Sequence, residues 1–398
     1  MQSLHPSLFI EINNLNYIFL VGTNDENNNF KINYKLVVPL QGIEKNIIFD
    51  LEKACNCLKD NIYNIEQNLN LTFKEVILIL ENFNPLFVNL SGFKNLNGSQ
   101  ILRENITYIL NILKSSLIEE EKNKTVLHMF NSKFTLDKKK IDNLPIGLFG
   151  DFYSHELSFT LINSNDLKNL NNIFDKCNLK IKKILLKSFV KGAYLSNNNL
   201  DTETFFQVEI NPNTSKIFYF ENNSLKFEQN FNFGFDIIIK DISKITSLKK
   251  DTVNNILCNT QFDDDILDTS LVEKELFKNE IYRKIKKKLI YEIISARIKE
   301  FSEIMIFKNI NLKYYNTLSN VIFLDINKSS QFKNLKEIYR SEFSLDEKFI
   351  IKIFEDKTDD EMFQFTSKLV HYGWKKEAIP VTQNKKSIIA RLFDAVFS

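Results

Sequence analysis

Apolar and polar positions alternate along two stretches of this chain that lie about half its length apart. The first runs LFIEINNLNYIFLVGTNDENNNFKINYKLVVP from Leu8, and the second FFQVEINPNTSKIFYFENNSLKFEQNFNFG from Phe205. A period of two with Asn-rich breaks predicts three short strands in each, and in both a Glu-Ile-Asn triplet closes the first strand, at Glu11 and at Glu209. A repeat on this scale predicts a duplicated α/β architecture of two similar lobes.

Helical spacing takes over after each meander. In IIFDLEKACNCLKDNIYNIEQNL the residues Leu51, Ala54, Cys55, Leu58, Ile62 and Ile65 form one stripe, and DIIIKDISKITSLKKDTVNNILCNT follows the second meander in the same way. A further helix is expected over EIYRKIKKKLIYEIISARIKEFSEIMIF, with Ile281, Ile285, Leu289, Ile293 and Phe301 on one face and Lys284, Lys287 and Lys288 off it. VILIL (76–80) and NVIFLDI (320–326) read as strands completing the lobes. The expected boundaries are 1–82 and 165–200 for the first lobe, and 83–164 for a subdomain inserted into it. The second lobe takes 201–244 and 312–374, with 245–311 as its small subdomain. Residues 375–384, polar and containing Pro380, read as a linker. In 385–398 Ile388, Ile389, Leu392, Phe393, Val396 and Phe397 recur at helical spacing, with Ser387, Arg391 and Asp394 on the other half of the circumference. The stripe is expected to stand apart from the body of the chain and to need cover from elsewhere.

Composition changes this picture little. A chain of 398 residues with 43% hydrophobic and 26% charged residues is expected to fold as more than one domain. Abundant Asn, Lys, Ile and Phe with only 9 Gly and 6 Pro make any single Lys or Asn run weak evidence. A net charge of +2 gives no field suited to nucleic acid. No apolar run approaches the roughly 18 residues that span a bilayer, and the start MQSLHPSLFIEINN lacks the pattern of a signal peptide, so a cytoplasmic location is expected. Cys55, Cys57, Cys177 and Cys258 are scattered and read as reduced thiols, with no metal site expected. Asp263, Asp264 and Asp265 lack the spacing and Gly of a calcium loop, and His128 and His155 stand in no catalytic pattern. No Ser-His-Asp arrangement, paired catalytic carboxylates or phosphate-binding G-x-x-x-x-G-K motif is visible, so no catalytic residue is assigned.

The stretch HMFNSKFTLDKKKIDNLPIGLFGDFYSHELSF (128–159) resembles the H-x-x-P-x-x-Y-x-x-D-x-x-x-x-I-x-N-P-I-G-M-x-G pattern of FtsA, the actin-like family of bacterial cell-division proteins. His128, Asp137, Pro145, Ile146, Gly147 and Gly150 keep their places, Phe134 stands for the Tyr, Asn131 for the first Pro, and Ile141 is one position early. FDLEKACNCLKDNI, SARIKEFSEI and TSKLVHYGW are similar to other family stretches and fall in the expected order along nearly the whole chain. The resemblance implies an actin-like α/β fold of duplicated ribonuclease-H-like lobes, a small α+β subdomain inserted in the first lobe, and a C-terminal amphipathic helix.

The same resemblance locates a nucleotide cleft whose usual residues are missing. Two strand-turn-strand loops with an Asp-Ile-Gly core should hold phosphates and Mg²⁺, and glycine is needed there because backbone N–H groups must approach phosphate oxygens closely. This chain has Glu11-Ile12-Asn13 and Glu209-Ile210-Asn211 at those positions, Leu324-Asp325-Ile326-Asn327 at the adenosine turn, and VNNIL (253–257) where a ribose-contacting Glu and Lys would stand. Glu11, Asn13, Glu209, Asn211, Asp325 and Asn327 are therefore expected to line a vestigial cleft, with no cofactor and with ATP and Mg²⁺ disfavoured. Arg297, with Lys299 and Glu300, falls where the family grips the C-terminal tail of FtsZ, and an Arg can hold a carboxylate through two parallel hydrogen bonds.

The terminal helix is implied as a membrane anchor, with Ile388, Ile389, Leu392, Phe393, Val396 and Phe397 in the acyl boundary and Lys385, Lys386 and Arg391 near anionic headgroups. The function expected is a non-enzymatic tether of FtsZ filaments on the inner face of the cytoplasmic membrane at the division site. Later division proteins and self-association into filaments are the further partners. The rival readings are an actin-fold ATPase with drifted motifs and an actin-like assembly protein of type IV pili.

Overall fold

A computed structural model of the chain describes residues 6–24, 30–44, 47–81, 83–262, 267–277, 280–315, 318–326, 332, 334–344, 348–354 and 359–378. Among these, one compact unit takes the residues up to Leu200, Asn222–Lys226 and those from 357 onward; the other takes Asp201–Glu221 and Phe227–Asp356.

In the first unit β1 (Ser7–Ile12), β2 (Asn16–Asn24) and β3 (Phe30–Pro39) form the expected antiparallel meander. A short pair, β4 (Ile43–Glu44) and β5 (Ile47–Ile48), leads to helix α1 (Leu51–Leu69), after which β6 (Glu75–Leu80) returns parallel to β1. The insertion consists of β7 (Leu86–Asn95), α2 (Arg103–Glu120), β8 (Lys124–Leu136), β9 (Lys139–Ile141) and β10 (Phe152–Asn163). Then α3 (Ser164–Lys176), β11 (Lys180–Leu186) and α4 (Lys187–Asn198) follow. The main sheet has the order β11-β6-β1-β2-β3. Its central strands are almost wholly buried, which explains their near-continuous apolar runs, whereas edge strand β3 alternates between half-buried and exposed positions after a buried Phe30. α1 starts where the Asp50 carboxylate accepts from Lys53 N at 2.9 Å and stops at Asn70, which takes the left-handed conformation (φ 49°). Its buried face is the expected stripe with Cys57 added, and Leu51 half-buried at its edge.

The second unit repeats the meander in β12 (Phe205–Ile210), β13 (Ser215–Glu221) and β14 (Ser224–Phe231), of which Ser224–Lys226 count with the first unit. Helices α5 (Asp236–Thr246), α6 (Lys250–Asn259) and α7 (Lys287–Ser302) precede β15 (Val321–Ile326), α8 (Leu335–Phe343) and β16 (Ile350–Ile353). The order β14-β13-β12-β15-β16 matches β3-β2-β1-β6-β11 strand for strand, with the same parallel pairing of the first strand to the strand after the helices. This is the duplicated, actin-like architecture that the sequence implies.

The inserted residues form a second sheet in the first unit, β7-β10-β8-β9. Ile106, Ile109, Leu110 and Leu117 of α2 share a core with Tyr153, Leu157, Phe159 and Leu161 of β10. The retained residues of the 128–159 stretch build this subdomain. Asp137 (φ 48°) accepts from the N–H groups of Asp151 (2.9 Å) and Phe152 (2.8 Å), and a Cβ on Gly150 would meet Leu136 Cδ1 at 2.4 Å.

The structure corrects several expectations. The helix expected from Glu280 begins only at Lys287, because the backbone of 285–287 is taken by a bridge to 270–272: Val272 N donates to Ile285 O and Lys287 N to Ser270 O, both at 2.9 Å. The buried stripe is Ile290, Ile294, Ile298 and Phe301, whereas Ile281 is 87% exposed and Leu289 is also exposed. The stretch 236–259 is two helices, split where Ser247 turns left-handed (φ 55°). Among the described residues of 245–311, Val253, Ile256, Ile290 and Ile298 pack in one cluster with Val208, Ile210 and Leu324 of the sheet rather than in a separate core. Helix α9 (Asp359–Tyr372), assigned to the second lobe, belongs to the first unit, where Phe363 packs with Phe9, Ile18 and Ile77. The start of the expected linker is docked too. Asn131 N donates to Lys376 O (2.7 Å), Ala378 N donates to Met129 O (2.8 Å), and Ala378 is buried in the inserted core.

His128 and His155 are core residues of the first unit. His128 Nε2 accepts from Leu186 N at 3.3 Å among the rings of Phe130 and Phe189, and His155 Nε2 meets Asn131 Oδ1 at 2.9 Å. Burial pushes both imidazoles down from 6.5 to about 3, so the native chain keeps them neutral while the unfolded chain takes up a proton on each. Their contribution to stability is present above pH 6.5 and is lost as pH falls toward 3. Urea unfolding between these limits is expected to lose about 1.4 kcal/mol per pH unit per histidine, on top of carboxylate effects, and His155→Phe should remove one such proton from the slope.

Candidate functional site

Three parallel strands of the first unit end side by side, with a charge within one residue of each end. Glu11 is the penultimate residue of β1, Glu81 directly follows β6, and Lys187 directly follows β11 as the first residue of α4. Carboxyl ends of parallel strands are where open α/β sheets bind ligands, since helix starts and loops converge there. Lys187 Nζ lies 2.6 Å from Glu11 Oε1 and 3.4 Å from Glu81 Oε2. The Glu11 side chain is 7% exposed and that of Lys187 27%. Burial pulls the lysine pKa down, but the carboxylates of Glu11 and Glu81 outweigh it and raise it above the ordinary lysine value. The group is an ammonium at any physiological pH, so it cannot serve as an amine nucleophile or base.

Beyond Glu11 the β1–β2 turn closes on itself. Asn13 Oδ1 accepts from the N–H groups of Leu15 (2.9 Å) and Asn16 (2.8 Å), and Asn13 N donates to Asn16 O at 3.1 Å. This is the self-capping Asn turn, in which a side-chain carbonyl takes the donors that an anion would otherwise meet.

The matching turn in the second unit reaches the same end differently. Asn211 N donates to Thr214 O (2.9 Å), Pro212 has no N–H, and the N–H groups of Phe235 and Asp236 at the start of α5 donate to Asn211 O (3.2 Å) and Pro212 O (2.9 Å). The backbones are so close that a Cβ on Gly234 would meet Asn211 O at 2.0 Å. Buried Glu209 accepts from Gln207 Nε2 at 3.0 Å and stands in register beside half-buried Asp325 on β15. Asn327 lies outside the described residues. Leu257 of the VNNIL stretch, with Phe235, Phe262, Phe332, Leu335 and Ile338, lines an apolar cavity of about 20 Å³. That is room for about one water molecule, where small-molecule pockets need a few hundred Å³.

Arg297 is engaged. Its Nε and Nη2 reach Asp241 Oδ2 at 2.7 and 2.6 Å, and Nη1 meets the Glu300 carboxylate. The neighbouring cations are paired as well, Lys287 with Glu273 and Lys288 with Asp268, while Lys284, Lys286 and Lys299 are exposed. Lys385, Lys386, Ile388, Ile389, Arg391, Leu392, Phe393, Val396 and Phe397 lie outside the described residues, as do Asp263, Asp264 and Asp265. No described helix is long and apolar enough to cross a membrane. Sequence reasoning passed over Lys187 and Glu81, and the available signal was the apolar run Ile184-Leu185-Leu186 ending abruptly on a charge, as Ile79-Leu80 does before Glu81.

No family model matches the chain. The cell division protein FtsA of Buchnera aphidicola subsp. Acyrthosiphon pisum (strain APS) is 22% identical over 247 residues, which cover 62% of this chain and 59% of that protein. FtsA of subsp. Schizaphis graminum (strain Sg) is 22% identical over 234 residues, covering 59% and 56%. The chain thus spans less than three fifths of the length of these curated relatives. A solved structure titled "PilM-PilN type IV pilus biogenesis complex" superposes with a TM-score of 0.50 at 9% identity, covering 92% of this chain and 95% of that one, a likeness of fold alone. The chain is similar in sequence to these FtsA proteins, and its fold is actin-like.

The Arg297–Asp241 pair is open to measurement. Arg297→Ala and Asp241→Ala are each expected to lower the unfolding free energy by about 1 kcal/mol, and the double variant by less than the sum, since either change removes the same contact. A coupling energy near zero in urea unfolding would show the guanidinium to be held by other groups.

Proposed function

We propose that this protein is a membrane tether of cell division, which holds FtsZ filaments to the inner face of the cytoplasmic membrane at the division site and recruits later division proteins through the inserted subdomain. It acts by binding and self-association, and no catalysis is assigned to it. The observation that carries this reading is the similarity to FtsA over 247 residues, joined to the collinear family stretches of the sequence.

A nucleotide cleft that no longer takes ATP and Mg²⁺ belongs to the same reading. The residues present do not fit a polyphosphate. Asn13 Oδ1 takes the N–H groups of Leu15 and Asn16, Pro212 has none to give, and those of Phe235 and Asp236 are spent on Asn211 O and Pro212 O. With these donors already engaged, the two turns offer a γ-phosphoryl group fewer groups to position it or offset its charge. Attachment is assigned to Lys385, Lys386, Ile388, Ile389, Arg391, Leu392, Phe393, Val396 and Phe397, and rests on their spacing and chemistry. Several large side chains at about 1.5–3 kcal/mol each, less the cost of ordering a short helix, give weak and reversible binding, which self-association multiplies. For FtsZ, an acidic tail arriving at Arg297 must exchange with Asp241 or Glu300, while Lys299 offers an exposed charge.

Two measurements test the reading. Full-length protein should sediment with anionic liposomes while a chain ending at Asn384 stays in solution, and Leu392→Glu or Phe393→Glu should release the full-length protein without unfolding it; equal sedimentation of both chains would refute the anchor. Millimolar Mg²⁺-ATP should leave the melting temperature unchanged, and a rise of more than about 2 °C would establish an occupied cleft.

A further inference from the structure

The turn of the first unit takes up N–H groups that a phosphate would use, but it leaves the two carboxylates at the strand ends to be accounted for. Glu11 and Glu81 approach the same point from neighbouring strands, one nearly buried and the other 22% exposed. Two carboxylates converging at the carboxyl edge of a parallel sheet would ordinarily attract a hard divalent cation. In this chain that point is already occupied by an ammonium on the third strand's exit.

We infer that Lys187 is a tethered cation, standing between Glu11 and Glu81 where a divalent metal would otherwise sit, so that the first unit closes its own strand-end site to metal-bound polyphosphates. This deepens the proposed reading of the cleft and rests on it. Position supports it, because β1, β6 and β11 are consecutive in the sheet and their exits bring the three charges together without any loop rearrangement. Contact supports it, because the 2.6 Å and 3.4 Å separations place one ammonium within reach of both carboxylates. Charge supports it as well. The trio carries a net −1, which repels a polyphosphate that arrives without its metal, while the ammonium repels the metal. A side chain bound through the backbone is present at an effective concentration that free Mg²⁺ in solution does not reach, so the lysine holds the place without any cation being supplied.

The experiment uses the full chain and Mn²⁺ as the probe, counting bound ions by the loss of the free-ion electron paramagnetic resonance signal. Wild type and Glu11→Gln should bind Mn²⁺ equally. Lys187→Ala should gain one site, lost again in Lys187→Ala/Glu11→Gln. The melting temperature of Lys187→Ala should fall by roughly 5–15 °C, and millimolar Mn²⁺ should restore at least half of that loss. A Lys187→Ala protein that gains no Mn²⁺, or a wild-type site that Glu11→Gln removes, overturns the inference. If Lys187→Ala does not fold, wild type against Glu11→Gln decides: equal binding supports the tethered cation, and a difference refutes it. The two readings fail separately. Stabilisation of wild type by Mg²⁺-ATP defeats the closed cleft as a whole, whereas absence of Mn²⁺ gain in a wild type blind to Mg²⁺-ATP defeats only the role of Lys187.

Discussion

A polar group withdrawn from water needs a partner, and at the strand ends of both units the chain supplies that partner itself. Glu11 has Lys187, Leu15 and Asn16 have the Asn13 carboxamide, Glu209 has Gln207, and the first N–H groups of α5 have the carbonyls of Asn211 and Pro212. Leaving one such group without a partner costs about 1–3 kcal/mol, and more for a charge, so these local solutions fix the turns as firmly as the apolar core fixes the sheets.

The sheets were the legible part of the sequence. Alternation in β3 and continuous apolar runs in β1, β6, β12 and β15 follow directly from one-sided and two-sided burial, and the duplication shows because both halves need the same pattern. α1 was legible for the same reason, with a carboxylate cap, one apolar face and an Asn stop. α7 was not. Its lysine-rich approach has helical spacing, but the strand-like bridge of Leu271 to Lys286 takes the backbone groups a helix would use, and no local pattern reports a partner fifteen residues earlier. The domain boundaries failed where a segment crosses to a distant part of the chain, as α9 does in packing Phe363 on Phe9.

The candidate site was half legible. The self-capping turn at Asn13 could be anticipated from side-chain chemistry, since an Asn carboxamide readily accepts from the N–H groups that follow it. Lys187 could not be singled out, because one Lys among 52 basic residues carries no mark, and only the parallel order β11-β6-β1 puts it beside Glu11. At Arg297 the residue type suits carboxylate capture, and the sequence carried no sign that the chain's own Asp241 and Glu300 would hold the guanidinium.

The docking of 376–378 against β8 has a mechanical consequence. Asn131 N to Lys376 O and Ala378 N to Met129 O flank an antiparallel bridge, and just before them Trp374 Nε1 donates to Asn223 O at 2.8 Å. Tension applied to the chain beyond Ala378 therefore enters the body at the inserted sheet and meets these bonds before it can reach α9. Whatever the last residues hold, the fold has a reinforced point at which to be pulled.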